Sequence, residues 1–107
     1  MLTIVESAFF SSVWPLSWSE DERGDFAASL GQYPEAGDVI PATHGLRKIR
    51  WSRQGIGKSS GVRVIYFTRN EQGEIVLLMM YAKSKRANMS AKQLLEIRNA
   101  LENAPHR

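Results

Sequence analysis

The sequence predicts an α+β domain, a small antiparallel β-sheet with two N-terminal helices packed on it and a C-terminal helix. Three observations support this prediction. Helix-start signals occur in the first third of the chain and again near residue 90, three strand-like segments follow one another between residues 46 and 82, and short connections join those segments. The expected order is β-α-α-β-β-β-α, in one domain that covers residues 1–107.

One strand and one short helix are expected at the N-terminus. Residues 2–6 carry β-branched side chains in their middle, which is typical of a strand. Ser7 is placed to cap a helix that continues to Val13, and Pro15 ends this helix because a proline restricts the residue before it. The side chains predicted to face the core are Phe9, Phe10 and Val13.

A capping box predicts the second helix. Ser19 and Glu22 have the Ser-x-x-Glu spacing, and the helix is expected to run to about Gly31. The following segment, residues 34–45, contains two prolines and two glycines and is predicted to be mostly loop. The side chains of this helix that are predicted to face the core are Phe26, Ala27 and Leu30.

A meander of three strands is predicted in the second half of the chain. Residues 46–52 alternate as a strand does, residues 62–68 are β-branched and aromatic, and residues 74–82 are almost wholly apolar. The last segment is expected to be a central strand with both faces covered. A connector with three glycines, residues 53–61, and a turn at residues 71–73 join the strands in an antiparallel order.

The last helix is predicted to begin at Ser90, because Gln93 completes a second capping-box spacing. Pro105 falls beyond its expected end. An apolar stripe predicts that one side of this helix packs against the rest of the domain. The stripe consists of Leu94, Ile97 and Leu101.

Composition excludes several classes of function. The chain has no cysteine, which rules out thiol catalysis, disulfide frameworks and cysteine-based zinc sites. His44 and His106 belong to no visible catalytic or metal-binding set, so no metal and no cofactor are expected. No apolar run is long enough to span a membrane, and the first ten residues lack the basic residues of a signal peptide. The expected location is the cytoplasm.

Charge is distributed unevenly along the chain. Residues 1–38 contain seven acidic residues and one basic residue, whereas residues 39–70 contain seven basic residues and no acidic one. A surface that serves only solubility mixes both signs, so the basic segment favours binding to a polyanion. The alternative, a solvated face with no ligand, stays open at this stage. The seven basic residues are Arg47, Lys48, Arg50, Arg53, Lys58, Arg63 and Arg69.

Strand alternation predicts which polar side chains share a face of the sheet. Lys48 and Arg50 point to the same side of the first meander strand, and Arg63 lies on one side of the second. If the register brings these residues together with Tyr81 and Lys83, they form a basic cleft that binds phosphate groups. The residues expected on the same strand face as Tyr81 and Lys83 are Ile75, Leu77 and Met79. The side chains considered for stacking on a base are Tyr81, Phe67 and Tyr66.

The same region carries a resemblance to a known family. Residues 37–67, GDVIPATHGLRKIRWSRQGIGKSSGVRVIYF, and residues 77–84, LLMMYAKS, resemble the RelE/HigB toxins of bacterial type II toxin–antitoxin modules. The specific part is G-L-R-K-x-R-W, the G-K loop and G-V-R-V-I-Y-F, in that order. The resemblance covers nearly the whole chain and implies a microbial-RNase-like fold.

The resemblance also implies a function. RelE-like toxins enter the ribosomal A site and cleave mRNA during translation, and a cognate antitoxin blocks them. The chain is accordingly expected to be an endoribonuclease, or mRNA interferase, that inhibits translation and growth. Its expected partners are ribosome-bound mRNA, ribosomal RNA and a helix-turn-helix antitoxin, with no membrane.

The resemblance implies a reaction in which a 2′-hydroxyl attacks the adjacent phosphate and leaves a 2′,3′-cyclic phosphate and a 5′-hydroxyl. It also implies roles for individual residues. Arg63 matches the arginine of the family's G-x-R-x-x-Y strand, which stabilises the phosphorane. Lys48 and Arg50 match the basic residues of the preceding strand; Lys48 orients or ionises the 2′-hydroxyl, and Arg50 binds charge. Lys83 matches a basic residue at the end of the last strand. The family's catalytic tyrosine follows that strand, where this chain has none, and Tyr81 is the nearby phenol. The expected RNA contacts beyond these are Arg47, Arg53, Lys58 and Arg69.

Two other functions stay open. A ParE-like toxin belongs to the same superfamily but inhibits DNA gyrase by binding protein, and it lacks the basic cleft. A non-catalytic RNA-binding module would use the same basic residues without cleaving RNA. The dense set of lysines and arginines favours an RNA-cleaving toxin over a gyrase inhibitor.

Overall fold

The computed structural model describes residues 2–51, 61–82 and 90–103. It confirms the α+β class and the helices and strands that the sequence predicts. Within the described ranges, no helix has both the length and the apolar character that a membrane crossing requires. The elements are β1 (Thr3–Glu6), α1 (Ala8–Val13), a 3-10 turn (Trp14–Leu16), α2 (Glu20–Gln32), β2 (Asp38–Val39), β3 (Arg47–Trp51), β4 (Val62–Arg69), β5 (Glu74–Ala82) and α3 (Ala91–Asn103).

The strands form one five-stranded sheet in the order β1-β5-β4-β3-β2. The antiparallel pairing of β3 with β4 and of β4 with β5 confirms the predicted meander. Two pairings are additional to the prediction. The strand β1 runs parallel to β5. The two-residue strand β2, which lies within the segment predicted to be loop, pairs with β3. The strand β5 therefore lies inside the sheet, and its side chains are buried from Ile75 to Met80, as expected for a central strand.

Both predicted capping boxes are present. The Ser19 hydroxyl accepts a hydrogen bond from the backbone N–H of Glu22, and the Glu22 carboxylate accepts one from the N–H of Ser19. Ser90 and Gln93 form the same reciprocal pair before α3. Polar side chains therefore satisfy the free N–H groups at the start of both helices, which is why the sequence signal is reliable here.

α1 and α2 pack against one face of the sheet. Phe10 of α1 and Phe26 and Leu30 of α2 are buried in this core, as the sequence predicts. The prediction was wrong for Phe9, which is 48% exposed. Neighbouring residues of a helix point about 100° apart, and the short α1 buries only the side that carries Phe10.

α3 covers one end of the opposite face. Its predicted stripe packs there, with Leu94 fully buried and the other two residues partly buried against a second apolar cluster. The guanidinium of Arg98 lies 4.2 Å from the centre of the Phe67 ring and donates a hydrogen bond to the carbonyl of His44 at 2.9 Å. These contacts attach α3 to the sheet and to the loop before β3. At the other end of this face, the side chain of Arg50 is exposed.

A β-bulge in β5 changes which side chains share a face. One residue of β4 pairs with Met79 and the next pairs with Leu77, so Leu78 is an extra residue. Beyond the bulge, Met79 and Tyr81 point to the face of α3, whereas Ile75 and Leu77 belong to the core under α1 and α2. The prediction that Tyr81 shares a face with Ile75 and Leu77 was therefore wrong, because the strict alternation of the strand is interrupted.

Candidate functional site

The register of the meander aligns three predicted site residues across the sheet. Arg50 of β3 pairs with Arg63 of β4, and Arg63 pairs with Tyr81 of β5. Residues that pair directly on adjacent strands point to the same face, so these side chains lie next to one another. Lys48, two residues before Arg50, lies on the same face. We call Lys48, Arg50, Arg63 and Tyr81 the basic row.

The basic row lies on the face of the sheet that carries α3, at the end that α3 does not cover. Arg50 is exposed, and the other three residues are partly exposed. The Nη1 atom of Arg63 is buried, and no atom of the described residues accepts a hydrogen bond from it. A buried N–H without an acceptor is costly in free energy, unless a ligand supplies the acceptor. Arg63 therefore has a buried donor that no described residue uses.

Comparison with the other arginines shows what is unusual about the basic row. Of the six arginines in the described ranges, Arg50 and Arg63 alone form neither an ion pair nor a side-chain hydrogen bond with a described residue. They are nevertheless directly opposite each other, where like charges repel. A phosphate group between them would replace this repulsion by two charge-assisted interactions. The partnered arginines are Arg23 (with Glu6), Arg69 (with Glu74 and Glu102), Arg98 (with Glu102) and Arg47 (with the carbonyls of Glu35 and Gly37).

A carboxylate next to the row was missed by sequence reasoning. Asp38 of β2 is the pairing partner of Lys48, so both side chains point to the same face. The structure shows no ion pair between them, and both are at least partly exposed. A two-residue strand has no measurable periodicity, and the only signal for it is the short apolar pair Val39 and Ile40 between loop residues.

The architecture has counterparts among solved structures, although no family model matches the sequence. The isolated E. coli RelE toxin has a TM-score of 0.59 to this chain at 15% identity, over 94% of this chain and 100% of that one. A mutant of E. coli toxin RelE in the free state gives a TM-score of 0.57 at 13% identity, over 94% of each chain. A conserved hypothetical protein of Helicobacter pylori gives a TM-score of 0.57 at 14% identity, over 78% of this chain and 97% of that one. The chain has a RelE-like fold.

Two predicted RNA contacts lie away from the basic row in this RelE-like fold. Arg47 points to the opposite face of the sheet, where its guanidinium donates hydrogen bonds to the carbonyls of Glu35 and Gly37 at 3.2 Å and 2.7 Å. Arg69 lies at the far end of β4, about 20 Å along the strand from Arg63. The structure does not bring either residue together with the row.

The remaining predicted site residues, Lys83, Arg53 and Lys58, lie outside the described residues. Lys83 directly follows β5, and the other two belong to the connector between β3 and β4. Their roles stay predictions from sequence position. Among the residues that the RelE-like fold does describe, no group of three or more histidine or carboxylate side chains is arranged to hold a metal ion.

Tyr66 and Phe67 cannot stack on a base. Their exposed fractions are 0% and 1%, so this prediction was wrong. The Tyr66 hydroxyl accepts a hydrogen bond from the N–H of Gly37 at 2.9 Å and donates one to the carbonyl of Pro34 at 2.8 Å. Burial raises the pKa of Tyr66 above its ordinary value of 10.0, although the Gly37 hydrogen bond lowers it in part. Tyr66 thus anchors the loop before β2 from inside the core.

Replacing Tyr66 with phenylalanine is expected to lower the free energy of unfolding by about 1–3 kcal/mol at neutral pH, because the buried N–H of Gly37 and the partly buried carbonyl of Pro34 lose their partner. The wild type should lose this advantage as the pH rises above 10, since Tyr66 then ionises in the unfolded chain but keeps its proton in the folded one. Urea unfolding of both proteins at pH 7 and near pH 11 measures the difference. A stability difference that does not shrink at high pH would contradict the buried hydrogen-bonded phenol.

Proposed function

We propose that this chain is the toxin of a type II toxin–antitoxin module and acts as a ribosome-dependent mRNA endonuclease. The observation that carries the proposal is the adjacent pair Arg50 and Arg63, which lack protein partners within the described residues and lie beside Tyr81 on a partly exposed face. Two of the structures with this fold are of the E. coli RelE toxin. The fold and the row together support a toxin that acts on RNA.

In the proposed reaction, the 2′-oxygen of one nucleotide forms a bond to the adjacent phosphorus, and the bond from phosphorus to the 5′-oxygen breaks. The products are a 2′,3′-cyclic phosphate and a 5′-hydroxyl, with one proton lost from the 2′-hydroxyl and one gained by the 5′-oxygen. Arg63 stabilises the additional negative charge of the phosphorane, because its buried N–H has no other acceptor among the described residues. The guanidinium of Arg50 holds the same phosphate from the adjacent strand.

Lys48 and Tyr81 are the proposed residues for orienting and moving protons. Lys48 lies on the same face as Arg50 and would orient the 2′-hydroxyl, whose proton passes to water. Tyr81 would donate its proton to the leaving 5′-oxygen and regain one from water. The proposed site also includes Lys83, and Arg53 and Lys58 are proposed contacts to mRNA or ribosomal RNA on the basis of the sequence. Replacing Tyr81 with phenylalanine separates proton donation from stacking on a base, since it removes the phenol proton and retains the aromatic surface.

The proposed partners follow from the same assignment. In the cytoplasm the chain would enter the ribosomal A site, cleave the mRNA there and stop growth. A cognate helix-turn-helix antitoxin would bind the chain and block this activity. The competing assignment is a ParE-like inhibitor of DNA gyrase, which needs no row of phosphate-binding side chains.

Induction of the chain in a bacterial host tests the proposal. We expect growth arrest, new 5′ ends within translated mRNAs by primer extension, and normal supercoiling of a reporter plasmid. Intact transcripts together with relaxed plasmid would instead assign the chain to gyrase inhibition. Co-expression with the protein encoded by a neighbouring reading frame tests for the antitoxin, and restored growth is the expected result.

Affinity for single-stranded RNA should depend moderately on salt. If Lys48, Arg50 and Arg63 each neutralise one phosphate, together they contribute about −2 to the slope of a plot of log affinity against log salt. This contribution alone is about a twentyfold loss of affinity between ~50 and ~200 mM salt. Fluorescence anisotropy of a labelled oligoribonucleotide measures this slope. The double variant Lys48→Ala, Arg50→Ala should have a slope about 1.4 units smaller in magnitude, and an unchanged slope would remove both residues from the RNA contact.

A further inference from the structure

A pocket of about 330 Å³ adjoins the basic row at the end of β5. Its walls are formed by α1 and the 3-10 turn on one side and by residues 79–82 of β5 on the other. Phe9 and Leu16 form part of the lining and are 48% and 84% exposed, respectively. Large apolar side chains in such exposed positions are unexplained by the packing of the core.

The chemistry of the pocket differs from that of the row beside it. Apolar side chains, namely Phe9, Val13, Leu16 and two methionines, form most of its wall, and none of the described residues that line it is charged. The other lining residues are Ser17, Tyr81 and Ala82, of which Ser17 and Tyr81 carry a hydroxyl group. An uncharged wall does not attract phosphate, but an aromatic surface with a few hydrogen-bonding groups at its edge is suited to a nucleobase.

Tyr81 connects the two regions, because it lines the pocket and also pairs with Arg63 in the basic row. A nucleotide has the same two parts, an uncharged planar base and a charged phosphate. We propose that this pocket binds the base of a nucleotide next to the phosphate held by Arg50 and Arg63, with Phe9 and Leu16 as residues that determine base preference. The inference rests on the proposed function for its phosphate site, although the pocket itself can be tested separately.

Three small probes distinguish the parts of this proposal: ribose 5-phosphate, adenosine and adenosine 5′-monophosphate. In two-dimensional NMR titrations of the full chain, ribose 5-phosphate should shift the side-chain signals of Arg50 and Arg63. Adenosine should shift the amides of Ser17 and Ala82. The monophosphate should do both and bind about tenfold more tightly than ribose 5-phosphate, in line with the stacking of one base on an aromatic side chain.

Variants of the apolar wall then test the assignment. Phe9→Ala and Leu16→Ala should bring the affinity for adenosine 5′-monophosphate close to that for ribose 5-phosphate. Tyr33→Ala removes an exposed aromatic ring outside the pocket and should leave the ratio of these two affinities unchanged. In cleavage assays the same two variants should alter which nucleotides flank the cut.

The two hypotheses fail in different ways. If adenosine shifts the amide signals of Ser17 and Ala82 while ribose 5-phosphate leaves the signals of Arg50 and Arg63 unchanged, the base pocket is supported and the phosphate site is wrong. If all nucleotides bind no better than ribose 5-phosphate, or if Phe9→Ala and Leu16→Ala keep the wild-type ratio, the base pocket is wrong. In that case the exposed apolar side chains are better assigned to contact with a protein.

Discussion

Replacing Arg63 with alanine is expected to lower the rate of mRNA cleavage by about 10²–10³-fold, the usual cost of losing one preorganised donor that stabilises a negatively charged transition state. Arg63 is central to the basic row, since it pairs with Arg50 on one side and with Tyr81 on the other. Its Nη1 atom is buried and lacks an acceptor among the described residues, so removing the side chain breaks no described hydrogen bond of that atom. The folded state should therefore survive.

Two further variants make the Arg63 result specific. Arg63→Lys keeps the charge but loses the planar fork of donors, so it should recover only part of the activity. Lys92→Ala removes one positive charge from an exposed position at the start of α3 and should cleave mRNA at the wild-type rate. Cleavage is measured as product formed per minute on programmed ribosomes, with thermal unfolding as the check on folding. Wild-type rates for Arg63→Ala would remove this residue from the site.

Replacing Phe26 with alanine is expected to lower the free energy of unfolding by about 3–5 kcal/mol, which is the largest effect on stability that we predict for a single substitution. The Phe26 ring is 1% exposed and lies between two tryptophans, with centroid distances of 5.0 Å to Trp18 and 5.2 Å to Trp51. Since Trp51 belongs to β3, the substitution also removes a contact between α2 and the strand that carries Lys48 and Arg50.

Urea unfolding followed by tryptophan fluorescence measures the Phe26 effect, with Leu16→Ala as the control. Leu16 is 84% exposed, so its truncation should change the free energy of unfolding by less than about 0.5 kcal/mol. We also expect RNA cleavage by Phe26→Ala to fall with the folded fraction and not beyond it. A cost below about 1 kcal/mol for Phe26→Ala would contradict the described packing of α2 on the sheet.

Local features of the fold could be predicted because their signals are local. The capping boxes at Ser19 and Ser90 depend on residues three positions apart, and the bounds of β5 follow from an almost unbroken apolar run. The parallel pairing of β1 with β5 depends on contacts between residues about 70 positions apart, for which a short strand carries no signal. The bulge at Leu78 is equally hidden, because apolar residues occupy both faces of β5 and alternation cannot show a slip.

The site could be predicted only in part for the same reason. Alternation within β3 and β4 assigns Lys48, Arg50 and Arg63 to faces, and the register then places Arg50 and Arg63 side by side with Tyr81. Alternation also assigns Arg47 to the other face, but it could not show that backbone carbonyls accept hydrogen bonds from its guanidinium there. Which arginine has a protein partner is a property of the tertiary structure, and it is this property that distinguishes the basic row.

The most direct test of the proposed function is the chemistry of the RNA ends that the purified chain produces on mRNA bound to ribosomes. Attack by the 2′-hydroxyl predicts cuts within the A-site codon that leave a 2′,3′-cyclic phosphate on one fragment and a 5′-hydroxyl on the other, with no such products from Arg63→Ala at the same time points. These ends can be identified by their failure to ligate until they are enzymatically repaired. Intact mRNA, or fragments that carry 5′-phosphates, would contradict the proposal.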